Sequence, residues 1–168
     1  ILSSPLESTN EGYALAKIAI QRYCSYITKQ YPEFKFKTLI PCNLYGEFDK
    51  FSPSSSHLIA SIISKIDEAI IKQQDYVEIW GDGSARREFM YAKDLADPLY
   101  FSIANFEKLP SIMNIGFGKD YTITEYYETV AQVMGYHGSF QYNHSMPVGM
   151  KRKLLDTSLQ YSLGWKPI

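Results

Sequence analysis

The stretch FKFKTLIPCNLYG, residues 34–46, decides how this chain folds. Its first four residues alternate apolar and charged side chains, and residues 39–41 then run apolar without a break. That pattern predicts a strand over 34–41 that enters a buried sheet. Pro41 cannot donate to a ladder, so it suits the point where the strand leaves it. Upstream, residues 10–31 read as a helix. Asn10 offers an N-cap, Glu11 sits in the first turn, and Leu15, Ile18, Ala19, Tyr23, Tyr26 and Ile27 recur at helical spacing until Pro32. Downstream, NLYGEFDKFSPSSS (43–56) reads as a long turn-rich loop of the kind that often carries function.

The remaining pattern alternates helix and strand. Residues 57–73 form a second helix with Leu58, Ile62, Ile66, Ala69 and Ile70 along one side. YVEIW (76–80) is a strand that ends in the turn GDGS, and REFMY (87–91) is a short extended run. Residues 92–106 read as a helix that Pro98 should restrict or kink near its start. SIMNIG (111–116) is strand-like, and residues 122–136 form a helix opened by the capping pair Thr122 and Glu125. GSFQYN (138–143) reads as the last strand, and residues 156–165 as a short closing helix. This order predicts an α/β fold.

A chain of 168 residues with 45% hydrophobic and 21% charged residues has the composition of a globular domain with a real core. A net charge of −1 gives no electrostatic reason for a nucleic-acid or membrane partner. No apolar run is long enough to span a bilayer. Cys24 and Cys42 lack metal-ligand spacing and read as reduced thiols of a cytoplasmic protein, with Cys24 expected in the core. No metal site is expected. The opening ILSSPLES has no initiating Met and no strand before it, so the chain reads as a piece of something longer. It also has no Gly-rich phosphate loop: GFGKDYT is only G-x-G, and GDGSARR lacks a third glycine and a following helix.

Four stretches carry candidate chemistry. In TNEGYALAK (9–17), Tyr13 and Lys17 stand four apart, on one helical face. A phenol titrates near 10, and a neighbouring ammonium lowers that value, which makes a usable acid/base group. Two such residues also occur as an ordinary surface pair. PCNLYG (41–46) sits at the C-terminal end of the buried strand, where open α/β sheets bind ligands. SPSSSH (52–57) sets His57 at the mouth of the second helix, as a proton carrier or as a structural helix-start residue. WGDGSARREF (80–89) places an aromatic plate before paired arginines, and arginine's planar fork bonds a diphosphate bidentately. The plainer alternative is a solvated charge pair beside a hairpin turn.

Together with MNIGFGKDYTITE (113–125) and RKLLDTSLQYSLGW (152–165), these stretches resemble the extended short-chain dehydrogenase/reductase superfamily, the NAD(P)-dependent epimerases and dehydratases of nucleotide sugars. Within it they are most similar to the group that epimerises and reduces GDP-4-keto-6-deoxy-mannose. The resemblance implies the C-terminal portion of a Rossmann-like NAD(P)-binding domain at 1–52. A small α/β substrate-binding domain would fill most of 53–168, with some elements returning to the first.

By the same resemblance, Tyr13 protonates the ketone oxygen as hydride arrives, while Lys17 holds the nicotinamide ribose and depresses the tyrosine pKa. Pro41, Cys42, Asn43 and Leu44 line the nicotinamide of NADP(H), and His57 joins the cofactor site and donates a proton in epimerisation. Asn43, Lys65, Trp80 and Arg87 bind the GDP-linked 4-keto sugar. Lys65 stands two turns beyond His57, where the family usually has arginine. Val148 replaces a family carboxylate, which favours another GDP-sugar of heptose or colitose type. The family's phosphate-binding glycines, catalytic serine and epimerising cysteine belong upstream, and neither Cys24 nor Cys42 takes that cysteine's place. The chain alone is therefore expected to be inactive, and a non-catalytic fragment or partner subunit is the remaining alternative. A homodimer is expected, pairing the helix at 10–31 with that at 57–73.

Overall fold

The computed structural model describes residues 5–6, 8–52 and 55–167; most of the polar opening (1–4 and 7) and the step at 53–54 within SPSSSH lie outside them. A 3-10 turn (Ser8–Asn10) leads into α1 (Glu11–Gln30), followed by β1 (Thr38–Pro41), β2 (Asn43–Tyr45) and α2 (Leu58–Ile71). Then come β3 (Tyr76–Trp80), β4 (Arg86–Arg87), β5 (Phe89–Tyr91), a 3-10 turn (Ala92–Leu95) and α3 (Ala96–Ala104). The chain continues through β6 (Ile112–Ile115), β7 (Tyr121–Thr122), α4 (Ile123–Met134), β8 (Ser139–Asn143), β9 (Arg152–Lys153) and α5 (Ser158–Ser162).

Parallel pairing between distant strands organises these elements. β1 runs beside β6 with Pro41 opposite Ile115, β2 beside β5 with Asn43 opposite Phe89, and β3 beside β8 with Trp80 opposite Asn143. Parallel partners need long crossovers, which the helices supply. A fourth sheet has the order β7–β4–β9.

Two apolar clusters form. One gathers Ile59, Ile62, Ile66 and Ala69 of α2, Val77 and Ile79 of β3, and Tyr127 and Ala131 of α4. The other gathers Cys42, Met90, Leu109, Met113, Ile115, Leu155 and Trp165. Strand alternation buries Val77 and Ile79 and turns Tyr76, Glu78 and Trp80 outward. The apolar side of α2 is thereby used within the chain, although Ile70 stays exposed.

Several local expectations are corrected. The strand covers only 38–41: Phe34 and Phe36 are exposed, Lys35 pairs with Glu107 at 2.8 Å and Lys37 donates to the Leu109 carbonyl. Charged alternation there belongs to a surface segment. Asn43–Tyr45 is a strand rather than part of the loop, and β9 follows the strand expected to be last. Both are too short to leave a periodic pattern.

On α1 the packed stripe is Ala14, Ile18, Gln21 and Ser25, while Leu15, Tyr23 and Tyr26 face outward and Cys24 is only half-buried. That helix carries apolar residues on more than one face, so periodicity alone could not choose its inner side. Asn10 sits at its N-cap without a side-chain bond. Pro98 falls in the first turn of α3, where its missing N–H costs no helical bond. The capping box of α4 forms: Thr122 Oγ1 accepts from the Glu125 amide at 3.1 Å, and Glu125 Oε2 accepts from the Thr122 amide at 2.6 Å.

Asp120, almost wholly buried, fixes the small sheet. Arg86 Nε donates to its Oδ1 at 2.9 Å and Arg152 Nε to its Oδ2 at 2.5 Å; Arg86 also reaches the Asp120 carbonyl at 2.6 Å. Arg86 lies opposite Thr122 and Arg152, and Arg87 opposite Tyr121 and Lys153. Paired residues share a face and neighbours alternate, so Arg87 and Lys153 project from the face away from Asp120. The Arg152 guanidinium, and then Arg86, hold the Asp120 carboxyl below the usual carboxylate range, against the effect of burial. This contribution to stability is present above the ordinary Asp pKa of about 3.9 and is lost as pH falls through the lowered folded value. Asp120→Asn should therefore lower the thermal midpoint at neutral pH and flatten its decline in acid, as read by circular dichroism melts across pH. Superimposable curves for the two proteins would contradict this role.

Candidate active site

Asn43, at the start of β2, anchors the polar centre of the site. Its Nδ2 donates to the Glu88 carbonyl at 2.9 Å, and its Oδ1 accepts from Lys153 Nζ at 3.1 Å. Each end of the amide keeps one further hydrogen-bonding position for a ligand. Arg87 donates to the Arg86 carbonyl at 2.8 Å and to the Val148 carbonyl at 3.4 Å. Among the described residues no carboxylate pairs with it, and burial lowers its pKa from the ordinary arginine value. A half-buried guanidinium without an internal anion is a ready clamp for a phosphate group.

A second cationic position lies at the end of β3. Lys65 Nζ stands 5.2 Å from the Trp80 ring centroid and donates to the Glu78 carbonyl at 3.0 Å. Burial lowers the Lys65 pKa, and the Glu78 charge partly offsets it. Trp80, about half exposed, gives an aromatic plate beside an ammonium. Val148 closes over the following turn. Gly81 adopts φ +74°, and a Cβ there would come within 2.4 Å of Val148 Cγ2, so this packing requires glycine.

Tyr13 and Lys17 lie together on the exposed side of α1, with Lys17 Nζ 5.4 Å from the Tyr13 ring centroid. His57 is the exposed N-cap of α2 and makes no side-chain cap bond, so its ring is open to a ligand. Among the described residues no hydrogen bond ties Tyr13, Lys17 or His57 to the Asn43 centre. Pro41 ends β1 opposite Ile115, as a residue leaving its ladder should. Cys42 faces the core: its amide donates to the Ile115 carbonyl, and burial, then the Glu88 charge, pushes its thiol up to about 12. Leu44 packs on the same cluster, so Asn43 is the polar side chain that this segment offers.

A nicotinamide dinucleotide needs a proton-handling pair at one end and a glycine loop at its pyrophosphate. Tyr13 and Lys17 offer a phenol and an ammonium side by side, with Lys17 Nζ 5.4 Å from the Tyr13 ring centroid; the glycine loop is not within these 168 residues. Among the described residues no cluster of His, Cys, Asp and Glu is placed to hold a metal ion, and no helix is long and apolar enough to cross a membrane.

The sequence reading missed Lys153, Glu88 and Asp120. The sequence sets three cations in a row at Lys151, Arg152 and Lys153 without saying which points where. A two-residue strand fixes that through its partner, which lies 66 residues away for both Arg86 and Arg87.

Residues 1–116 match the NAD dependent epimerase/dehydratase family. The chain is 56% identical over 165 residues to a GDP-L-colitose synthase of Yersinia pseudotuberculosis, covering 98% of this chain and 54% of that protein. It is 50% identical over 167 residues to a GDP-L-fucose synthase of Azorhizobium caulinodans, covering 99% and 53%. A solved GDP-mannoheptose C4 reductase from Campylobacter jejuni, with NADP bound, superposes with a TM-score of 0.81 at 31% identity, covering 98% of this chain and 57% of that one. The chain thus spans about half the length of the curated relatives it matches. With the tyrosine–lysine helix, the parallel strand ending at Pro41 and the match over most of its length, the chain belongs to the NAD dependent epimerase/dehydratase family.

Proposed function

We propose that this chain is the C-terminal part of an NADP-dependent epimerase/reductase acting on a GDP-linked 4-keto sugar. The observation that carries the reading is the division of four basic residues. Asp120 takes Arg86 and Arg152, while Arg87 and Lys153 turn to the other face, with Lys153 on Asn43. That face suits a diphosphate next to a polar group able to hold a sugar hydroxyl or carbonyl. The cluster around α2, β3 and α4 is read as the substrate-binding domain, and the cluster around Cys42, Met113 and Trp165 as the returning Rossmann portion.

When bound, NADPH supplies the hydride. Lys17 would hold the nicotinamide ribose, and Tyr13 would deliver a proton to the ketone oxygen. His57 donates a proton at the carbon beside the ketone during epimerisation, the matching abstraction being the work of the upstream half. Lys65, Trp80 and Arg87 hold the nucleotide sugar. We read the conversion of GDP-4-keto-6-deoxy-mannose to GDP-L-fucose as the reaction. Val148, apolar where the family has a carboxylate, favours a second reading, in which the sugar is of colitose or heptose type. Without the glycine loop the chain alone should be inactive. The two free cysteines suit a reducing cytoplasm.

Tyr13→Phe in the complete enzyme should slow ketone reduction by about 10²–10⁴-fold. His57→Gln should stall epimerisation while leaving hydride transfer possible on a suitable ketone. Solvent deuterium incorporation beside the ketone, followed by NMR and compared with NADPH oxidation, separates the two. Normal epimerisation by His57→Gln would return His57 to a helix-start role.

A homodimer is also proposed, through the outward side of α1, where Ile20, Tyr23 and Tyr26 are exposed. α2 is not part of it, since its apolar side packs on β3 and α4. Tyr23→Asp should shift the complete enzyme from dimer to monomer in sedimentation velocity. An unchanged dimer would exclude this face.

A further inference from the structure

Glu88 stands between Arg87 and Phe89 and is 1% exposed. A carboxylate so deeply buried is costly unless its oxygens are hydrogen-bonded. Both are. Oε1 accepts from the Gly118 amide at 2.8 Å, and Oε2 from the Leu155 amide at 3.0 Å. Gly118 lies two residues before Asp120, at the approach to β7, and Leu155 two residues after Lys153, at the exit of β9. One side chain just past the central strand thus holds the chain beside both flanking strands. The Glu88 carbonyl accepts from Asn43, and Asn43 accepts from Lys153. The contacts close a ring: Glu88 carboxylate, Leu155 amide, back along the chain to Lys153, across to Asn43, and back to the Glu88 carbonyl.

Space for the carboxylate is also built in. A Cβ on Gly116 would lie 2.4 Å from Glu88 Oε1, so glycine admits the acid at that point. The Gly116 backbone is bound on both sides by the buried Gln160 amide, which donates to its carbonyl at 2.6 Å and accepts from its N–H at 3.0 Å. The wall that Glu88 leans on is therefore fixed.

We propose that Glu88 is a positioning residue for substrate binding: its carboxylate sets the spacing of Arg87, Lys153 and Asn43 without touching the ligand. This rests on the reading of that face as the nucleotide-sugar site. Glu88→Gln keeps the shape, but an amide presents one acceptor oxygen and turns its own NH2 toward the other amide. One flanking strand is released.

The test is steady-state kinetics of the complete enzyme with its GDP-sugar, alongside NADPH titration and thermal melts. Glu88→Gln should raise KM for the sugar nucleotide by about tenfold, in line with the loss of one charge-assisted bond, with a smaller loss of NADPH affinity, since of the three residues only Asn43 is also read beside the nicotinamide. A purely structural role would lower the active fraction, and with it kcat, at unchanged KM, and that result would overturn the proposal. Should Glu88→Gln fail to fold, Glu88→Asp keeps the charge but is one methylene too short to reach both amides, and the same rise in KM is expected. An unchanged KM in that variant would overturn the proposal equally. Trp80→Ala serves as the control. If it raises KM and the Glu88 variants do not, the positioning role alone fails. If none of them changes KM, the site reading fails and the proposal with it.

Discussion

One buried carboxylate, Asp120, sorts the cations of this protein. Four basic residues converge on a sheet of two-residue strands, and left alone they would repel. Asp120 accepts from Arg86 and Arg152 together, and Glu125 stands 3.8 Å from Arg86 as a second carboxylate. Strand alternation then sends their neighbours, Arg87 and Lys153, to the opposite face. The same register that builds the sheet creates a cationic face on its other side. Removing Asp120 would leave Arg152 without its carboxylate and Arg86 with Glu125 alone, at 3.8 Å, and the two partly exposed guanidinium groups would no longer be held together.

Around this sheet the fold places two kinds of material. α2, β3 and α4 pack a dry cluster that turns Trp80 outward with Lys65 beside it. β1 and β6 carry the chain from a buried sheet to Asn43, and Pro41 marks the point where the ladder ends. The polar residues thus stand at the ends of well-packed strands, where their positions are set by burial that they do not themselves provide. Tyr13 and Lys17 differ: they ride on a helix whose inner stripe is narrow and whose outer side is open. The proposed acid/base pair therefore depends on the rest of the complete protein for its surroundings far more than the proposed phosphate face does.

Much of this was legible in the residues. Long periodic segments such as α2 and α4, the capping box at Thr122, and the alternation of β3 follow from local pattern and appear where pattern puts them. The family resemblance implies Asn43, Lys65, Trp80 and Arg87 as ligand residues, and the structure joins Lys65 to Trp80. What the sequence hid is non-local. Lys153 meets Asn43 across 110 residues, and Glu88 meets Leu155 across 67. No periodicity reports a two-residue strand, and no local signal says which arginine of a pair is already taken. Residues 34–37 mislead for the opposite reason, since alternation without a partner strand remains a surface segment.

The central claim is that Arg87, and not Arg86, is the ligand-binding arginine. Isothermal titration of GDP into the complete enzyme tests it directly, with Arg86→Met and Arg87→Met compared at matched folded fraction. Arg87→Met should weaken GDP by about tenfold or more, as loss of a charge-assisted phosphate contact requires, while its melting temperature stays near that of the parent. Arg86→Met should melt earlier yet bind GDP as the parent does. Wild-type GDP affinity in Arg87→Met, or the larger loss in Arg86→Met, would contradict the account.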